Sequence, residues 1–382
     1  MAPVSTAAIE PRDRPIAVFD SGVGGLTVLR EILRRTPAES TVYLGDNARA
    51  PYGVRPDEEV LAFSMESLDL LADRDVKAIV VACNTSTAVA LGALRRRYDV
   101  PILGVIRPGA SAAALATRNR RVGVIATPAT IRSHAYFTAI KDENPFVEVY
   151  EHATPALVPL VEAGELSGEL AEQTVADGLA PLVAERPTNG ESIFPRQPGA
   201  PIDTLLLGCT HYPLLRPIIA AIVGPDVAIV DSATATSSAL AELLEVNALA
   251  AGTADGGASH LQLTTGSAST FDDLAGRLFG VDFPNVEHVE LAVAARRPIA
   301  RAAANGARRG ATTASGRPGS SSAQRSVPQR RSRAGMPSRQ PVAAASWTGR
   351  RSSGSRSVAY GTHPGRSHLR SSARASRRMP RR

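Results

Sequence analysis

Short runs of Val, Ile and Leu alternate along the chain with longer stretches in which apolar residues recur at helical spacing. The short runs are continuous, which is typical of strands that are covered by helices on both faces. Eight runs of this kind predict strands at Ile16–Phe19, Thr41–Gly45, Ala78–Cys83, Ile102–Ile106, Val122–Thr127, Thr204–Cys209, Val227–Asp231 and Leu261–Thr265. Between them the spacing predicts helices, for example over Pro56–Ala72, whose first turn is acidic. This alternation predicts an α/β fold with parallel sheets.

Polar residues follow several of the predicted strands at their carboxyl ends, where open parallel sheets carry functional groups. These turns are Asp20-Ser21, Asp46-Asn47, Cys83-Asn84-Thr85, Thr127 to Thr130 and Cys209-Thr210-His211. Two of them resemble one another, because "AIVVACNTSTAVAL" and "TLLLGCTHYPLL" each contain an apolar run, a cysteine, small hydrogen-bonding residues and a predicted helix. The sequence therefore predicts two similar α/β domains whose parallel sheets face one another across a central cleft.

Charge divides the chain into two unlike parts. Residues 291–382 contain 21 Arg, no Lys and no acidic residue, whereas residues 1–290 contain 22 basic and 36 acidic residues and carry a net charge of −14. From residue 295 onward Arg, Ser, Ala, Gly and Pro dominate, which predicts a disordered tail over 295–382. A proline-rich stretch at 186–201 predicts an irregular insertion. The tail is compatible with weak nucleic-acid contact, or with a non-native reading frame of GC-rich DNA.

The remaining composition excludes several classes of protein. Two cysteines cannot form a disulfide framework or a Cys-based zinc cluster, which favours a reducing compartment. The first fifteen residues lack the apolar stretch of a signal peptide, and no run approaches the ~20 apolar residues of a membrane helix. We therefore expect a soluble, cytoplasmic protein without membrane contact.

Cys83 and Cys209 are the only cysteines, and each is predicted to lie between a strand and a helix. The N-terminus of a helix stabilises a thiolate and lowers the pKa of the thiol, and His211 is close enough in sequence to exchange a proton with Cys209. A free cysteine is most often a small buried hydrophobic residue, but two matching settings favour a functional pair.

Several chemistries would use such a pair. A dithiol redox pair usually has C-x-x-C spacing, which is absent, and a Cys–His hydrolase needs only one cysteine. A metal site built on Cys83, Cys209 and His211 stays open. Two thiols on opposite sides of a substrate best fit racemisation, in which one removes an α-proton and the other returns a proton to the opposite face.

The segment "DSGVGG", Asp20 to Gly25, is rich in glycine and follows the first predicted strand. It lacks the Lys-Ser/Thr end of a P-loop and the spacing of a dinucleotide fingerprint. It instead predicts a tight turn whose N–H groups meet a carboxylate at the start of the next helix. Asp20 has two interpretations at this point, a site residue or the N-cap of that helix.

Together these motifs resemble the glutamate racemases of the Asp/Glu racemase family over about Pro15 to Leu291. The local sequence is similar to that of actinobacterial members. The resemblance rests on "FDSGVGGLTVLREI", "YLGDNARAPYG", "VVACNTSTA", "PILGVIRPGA", "GVIATPATIRSHAY", "LVPLVEAG", "LLLGCTHYPLL" and "VDSA". It implies an isomerase that interconverts L- and D-glutamate with no cofactor and no metal, supplying D-glutamate for peptidoglycan, cell wall biogenesis and cell shape. It also implies a homodimer.

The resemblance further implies roles for individual residues. Cys83 is expected to act as the base on D-glutamate, and Cys209 as the base on L-glutamate. Asp20 and His211 are expected to assist the two thiols, and Glu162 to be a further acidic catalytic residue. The residues expected to hold the substrate are Asp20, Ser21, Tyr52, Gly53, Asn84, Thr85, Thr127, Thr130, Thr210 and His211. For any single threonine, a cap or turn residue is the alternative.

The domain organisation implied by the resemblance has a first α/β domain built from residues 14–106 and 215–291, and a second from residues 107–214, which includes the insertion. One departure is "TTGS" at Thr264–Ser267, where the family pattern ends in an acidic residue. Two alternatives are an aspartate racemase of the same fold and a nucleic-acid-binding protein that acts through the arginine-rich tail, which the acidic body disfavours.

Overall fold

The computed structural model describes residues 10–183, 202–252, 257–280, 283 and 286–291, all of which belong to one compact unit. The predicted insertion at 186–201 and the predicted tail at 295–382 lie outside the described residues. Within the described part of the chain, no helix is long and apolar enough to span a membrane.

Two sheets, in which every strand pair is parallel, form the framework. The first, in spatial order, consists of β10 (Val286–His288), β9 (His260–Thr264), β2 (Thr41–Gly45), β1 (Ile16–Asp20), β3 (Ala78–Val81) and β4 (Ile102–Gly104). The second consists of β6 (Glu148–Ala153), β5 (Arg121–Ala126), β7 (Thr204–Gly208) and β8 (Ala228–Asp231). The predicted α/β fold with two sets of parallel strands is confirmed.

Helices connect the strands and cover the sheets. They are α1 (Leu26–Arg35), α2 (Asp57–Ala72), α3 (Asn84–Arg97), α4 (Ile106–Ala116), α5 (Pro128–Arg132), α6 (Ala135–Glu143), α7 (Leu157–Glu162), α8 (Glu169–Val183), α9 (Arg216–Val223), α10 (Ser232–Val246) and α11 (Ala268–Phe279). Short 3₁₀ helices lie at Pro11–Asp13, Tyr52–Val54 and Tyr212–Leu215.

The strand β1 shows why the apolar runs are continuous. Ile16 and Val18 pack into one hydrophobic cluster with α1, while Ala17 and Phe19 pack into another with α2 and α3. All four side chains are fully buried. Because both faces are covered, neither face of the strand selects polar residues. Burial of each large apolar side chain contributes about 1.5–3 kcal/mol, so these strands hold the loops at their carboxyl ends in fixed positions.

The eight predicted strands are all present, although several end one or two residues earlier than predicted. Two further strands escaped prediction. The sequence of β6, "EVYEHA", mixes charged and apolar residues because β6 is a half-buried edge strand. The strand β10 is only three residues long and also lies at an edge. Edge strands do not need the continuous apolar run that marks a central strand.

The implied domain boundaries stay a prediction, but one strand differs from them. The strand β8 lies within residues 215–291, assigned above to the first domain, yet it pairs with β7 in the second sheet, with Leu205 opposite Ile229. The segment β7–α9–β8 is a strand–helix–strand unit, and such units usually place their two strands side by side. The second sheet therefore extends beyond residue 214.

Candidate active site

Cys83 lies at the carboxyl end of the first sheet, two residues after β3. It is the N-cap residue of α3, and its sulfur accepts a hydrogen bond from the Ser86 backbone N–H at 3.4 Å. Its thiol donates to Ser21 Oγ, also at 3.4 Å. Only 5% of the residue is exposed. The predicted strand–cysteine–helix setting is confirmed for this cysteine.

Cys209 lies at the corresponding end of the second sheet, directly after β7, and is also buried. The prediction that it begins an α-helix is wrong. The next element is the 3₁₀ helix Tyr212–Leu215, and α9 begins only at Arg216. Pro213 occupies the first turn of the 3₁₀ helix. The main local partner of Cys209 is therefore a side chain, His211, rather than a helix terminus.

His211 connects Cys209 to an acidic residue. Its Nδ1 lies 3.8 Å from Cys209 Sγ, and its Nε2 lies 3.3 Å from Glu162 Oε1 at the end of α7. Burial lowers the pKa of His211, but hydrogen bonds to Cys209 and Glu162 outweigh it and raise this pKa to about 10. The imidazole is therefore a cation at neutral pH, placed between a sulfur and a carboxylate.

Asp20 ends β1 and is fully buried. The N-cap interpretation is wrong, because α1 begins at Leu26 after Gly25, with no side-chain cap. Instead, Asp20 Oδ2 accepts a hydrogen bond from the Gly22 N–H at 3.1 Å, while Oδ1 has no hydrogen-bond partner among the described residues. Burial raises the pKa of Asp20 to about 6, and the nearby His211 opposes that rise.

The pKa of Cys83 is shifted in the opposite direction from the one expected for a thiol at a helix N-terminus. Burial, and then the charge of Asp20, raise the pKa of the Cys83 thiol to about 11, although hydrogen bonds with Ser21 and Ser86 oppose the rise. The helix N-terminus therefore does not lower this pKa as predicted. The free energy lost when the thiolate is removed from water exceeds the stabilisation that the backbone dipoles of one helical turn provide. Cys83 is a neutral thiol at neutral pH.

Both cysteines line one small cleft between the two sheets, with about 70 Å³ of open space. Other predicted site residues line it with them: Ser21, Tyr52, Gly53, Asn84, Thr85, Thr127, Glu162, Thr210 and His211. Two predicted residues, Asp20 and Thr130, do not line the cleft but lie in contact with residues that do. Among the described residues that line it there is neither Lys nor Arg.

Three threonines join the two sheets at the cleft. Thr85 Oγ1 lies 2.9 Å from Thr127 Oγ1 and 3.4 Å from Thr130 Oγ1, and the last two oxygens are 3.0 Å apart. Thr127 also caps α5, so the cap interpretation and the cleft location hold for the same residue. Gly53 packs against it so closely that a Cβ there would lie 2.5 Å from Thr127 Cβ.

The "DSGVGG" turn packs directly against the loop of Cys209. A Cβ on Gly24 would lie 2.5 Å from both Thr210 Oγ1 and His211 Nδ1, so only glycine fits at this approach. Thr27 Oγ1, at the start of α1, donates to the Thr210 carbonyl at 3.0 Å. The turn thus fixes the first sheet against the second beside the cleft.

A network around Asp46 holds the loop that carries Tyr52 and Gly53. Asp46 is fully buried, and its Oδ2 accepts hydrogen bonds from Arg49 Nε at 2.7 Å and from the Tyr52 hydroxyl. Its Oδ1 accepts from Thr265 Oγ1 at 2.6 Å, and Thr265 also accepts from the Ala48 N–H at 3.1 Å. The loop is therefore tied to the end of β9.

Sequence reasoning missed the apolar part of the cleft. The missed lining residues are Gly22, Ala50, Pro51, Val54, Pro128, Pro155, Val158 and Pro159. Most of them lie inside the quoted motifs, and the prolines of those motifs were an available signal. Pro155, Val158 and Pro159 follow β6, the strand that periodicity also missed.

The open hypothesis of a metal site finds no support in the geometry. Among the residues that the structure describes, no group of three or more His, Cys, Asp or Glu side chains is arranged to hold a metal ion. The arrangement instead places a thiol, a second sulfur beside an imidazolium, and several hydroxyl and amide groups around one small space. Such a site can take a proton from one side of a small molecule and give one from the other.

Two parallel sheets with a cysteine from each lining one cleft are compatible with a racemase, and comparison with known proteins gives the class. The chain matches the Asp/Glu/Hydantoin racemase family over residues 16–240 and belongs to that family. It is 44% identical to the glutamate racemase of Listeria innocua over 276 residues, which cover 72% of this chain and 98% of that relative.

Two solved structures are similar in sequence and in fold. A glutamate racemase isoform from Bacillus anthracis has a TM-score of 0.67 and 40% identity, with 73% of this chain and 98% of that chain covered. The Francisella tularensis glutamate racemase, in complex with D-glutamate, has a TM-score of 0.64 and 33% identity, with 73% and 98% covered. The expected likeness to actinobacterial members stays a prediction.

Proposed function

We propose that this chain interconverts L-glutamate and D-glutamate without a cofactor, by a two-cysteine acid/base mechanism, and that the D-glutamate supplies peptidoglycan synthesis. The observation that carries this proposal is that the only two cysteines of the chain line the same small cleft. The 44% identity to a glutamate racemase over nearly the whole of that relative supports glutamate as the substrate.

Neutral groups would hold the two carboxylates of glutamate. Hydroxyls of Ser21, Thr85 and Thr127, the amide of Asn84 and backbone N–H groups can all donate to carboxylate oxygens. The carboxylates would therefore be bound without a lysine or arginine in the lining. This matters because an additional cation would change the protonation of both thiols.

In this mechanism the two cysteines have different starting roles. Cys83 is the acid, because burial beside Asp20 keeps its thiol protonated, and Cys209 is the base, with the His211 imidazolium beside its sulfur. In the L-to-D direction, Cys209 takes the α-proton while Cys83 donates its own proton to the opposite face of the planar intermediate. In the reverse direction the two cysteines exchange roles. Glu162 keeps His211 charged in both directions.

The remaining assignments stay proposals of the same kind. Aspartate is the competing substrate, and the identity to glutamate racemases favours glutamate over it. A cytoplasmic location and a homodimer follow from the resemblance. A weak nucleic-acid contact would involve the tail, which lies outside the described residues.

The first test is racemisation by the purified protein in EDTA, without added pyridoxal phosphate, followed by circular dichroism of the amino acid. We expect L-glutamate and D-glutamate to reach the same mixture, and L-aspartate under the same conditions to remain unchanged. A requirement for pyridoxal phosphate, or faster turnover of aspartate, would contradict the proposal.

The second test separates the two cysteines. Cys83→Ser and Cys209→Ser should each lose racemisation in both directions, because each lacks one of the two required groups. Elimination of a leaving group from a β-substituted glutamate analogue needs only the base, so Cys83→Ser should retain it with the L-analogue and Cys209→Ser with the D-analogue. The opposite handedness would reverse the assignment, and full racemisation by either variant would refute the two-base mechanism.

A further inference from the structure

The amide of Asn84 lines the cleft with only one of its two ends occupied. The residue begins α3 next to Cys83 and is 3% exposed. Its Oδ1 accepts a hydrogen bond from the Tyr136 hydroxyl at 2.6 Å. Its Nδ2 is buried and has no hydrogen-bond partner among the residues that the structure describes. A buried amide nitrogen without an acceptor is costly, so its retention beside a cleft points to an acceptor that arrives with a ligand.

The hydroxyl of Tyr136 is the hydrogen-bond donor to Asn84 Oδ1. It lies in α6, is fully buried and does not line the cleft. Burial raises the pKa of its phenol, which therefore stays protonated, although a hydrogen bond with Ser232 opposes the rise. A phenol has a single proton, and here it is donated to Asn84 Oδ1.

We propose that Tyr136 is a positioning residue for substrate binding: its hydroxyl holds Asn84 Oδ1 away from the substrate, so that Asn84 Nδ2 faces one of the substrate carboxylates as a donor. This inference rests on the proposed function. An amide has nearly the same shape in its two orientations, and the flipped form would place an acceptor oxygen against a carboxylate. By donating to Oδ1, the Tyr136 hydroxyl disfavours the flipped orientation of the Asn84 amide. The site therefore prefers a ligand with an anionic acceptor opposite Nδ2.

The same contact connects the two halves of the site. Asn84 follows β3 of the first sheet, whereas Tyr136 and Ser232 lie on α6 and α10, which follow β5 and β8 of the second. The orientation of the Asn84 amide is therefore fixed only when the elements of the two sheets are correctly placed relative to one another. Binding and the relative position of the sheets are coupled through one hydroxyl.

The test is Tyr136→Phe, which removes the hydroxyl and keeps the ring. We expect KM for glutamate to rise about tenfold, the smaller end of the range for a hydrogen bond to a charged group, with a smaller change in kcat. kcat/KM should fall by the same factor for both enantiomers, because enantiomers have equal free energy and kcat/KM must therefore be equal in the two directions. Calorimetric titration with D-glutamate should show the same loss of affinity.

The matched control is Tyr98→Phe. The Tyr98 hydroxyl is partly buried and, like that of Tyr136, hydrogen-bonded, at 2.6 Å from Asp69 Oδ1 and 3.1 Å from the Met65 carbonyl. Tyr98 has no contact with Asn84 among these bonds and does not line the cleft. We expect its KM to equal that of the unmodified protein. Thermal melts of both variants separate a loss of affinity from a loss of fold.

A double-mutant cycle shows whether Tyr136 acts through Asn84. In an Asn84→Ala background, Tyr136→Phe should no longer change KM, because the amide that it orients is absent. Ser232→Ala leaves the Tyr136 ring and the Asn84 amide in place and should raise KM by a smaller factor. It tests the inference in place of Tyr136→Phe if that variant does not fold. An unchanged KM in Tyr136→Phe, or equal effects with and without Asn84, would overturn the inference. If the unmodified protein neither binds nor racemises glutamate, the proposed function itself has failed.

Discussion

The protonation of each cysteine depends on the residues immediately around it. Both cysteines are buried at the end of a strand, but one lies beside a carboxylate and the other beside an imidazolium. The sequence predicts these neighbours, Asp20 and His211, because they belong to the same motifs. It does not predict the balance between helix dipole and desolvation, because the exposed fraction of a sulfur depends on distant parts of the chain.

The buried carboxylate of Asp20 should cost stability at neutral pH. Its pKa is raised from 3.8 to about 6, so its stabilising contribution is complete below pH 3.8 and is lost as the pH rises through 6. A shift of this size corresponds to about 3 kcal/mol in all. We expect Asp20→Asn to have a higher free energy of unfolding at pH 8 and a flatter dependence between about pH 4 and pH 6, while racemisation slows. Urea denaturation at several pH values measures this.

The control for that experiment is a carboxylate with the opposite shift. Burial raises the pKa of Asp203, but hydrogen bonds from Thr117 and from the N–H groups of Asn119 and Arg118 outweigh it and lower this pKa. Asp203→Asn should therefore reduce the free energy of unfolding at neutral pH, with a loss that shrinks as the pH falls. If Asp20→Asn instead destabilises the protein at pH 8 as Asp203→Asn does, the Asp20 carboxylate has an ionised role in the fold.

At the scale of elements, the strand ends bring the site together. The predicted strands were sufficient to place the Cys83 and Cys209 loops at the carboxyl ends of strands in their two sheets, because these ends carry the connecting turns. The sequence does not predict contacts between turns far apart in the chain. Thr265 and Asp46 are separated by more than two hundred residues, and Asn84 and Tyr136 by fifty-two. No local motif encodes such pairs.

Thr265 illustrates the consequence of one such contact. Its hydroxyl joins Asp46 to the Ala48 N–H and so supports the loop of Tyr52 and Gly53. Thr265→Val keeps the shape and removes the hydroxyl with both of its hydrogen bonds, and we expect KM for glutamate to rise about fivefold because the loop of Tyr52 and Gly53 is held less firmly. Thr265→Ser should restore KM, because it keeps the hydroxyl. Equal KM values for all three proteins would mean that the loop is held without Thr265.

At the scale of the whole molecule, the relatives account for only part of the chain. The Listeria innocua glutamate racemase is covered over 98% of its length by a match that spans 72% of this chain. The family match itself ends at residue 240. The arginine-rich segment is therefore additional to what that relative contains.

We expect this segment to be dispensable for catalysis. A protein truncated after Val293 should keep the kcat and KM of the full chain, because every residue that lines the cleft precedes that position. Binding to duplex DNA, measured by filter binding across a salt series, should weaken and lose its salt dependence, since the arginines that contact phosphates would be gone. Lost turnover with an intact circular dichroism spectrum would mean that the tail contributes to the site.

The unequal surroundings of the two sulfurs have a further consequence for repeated turnover. Under the proposed mechanism, a protein that has just released D-glutamate carries the proton on Cys209 and the charge on Cys83, the reverse of its starting form. Because Cys83 is buried beside Asp20, holding the charge on this sulfur is unfavourable. Before the empty protein can act on L-glutamate again, a proton must pass from Cys209 to Cys83. The protonation of the two sulfurs therefore has to be restored between successive L-to-D turnovers.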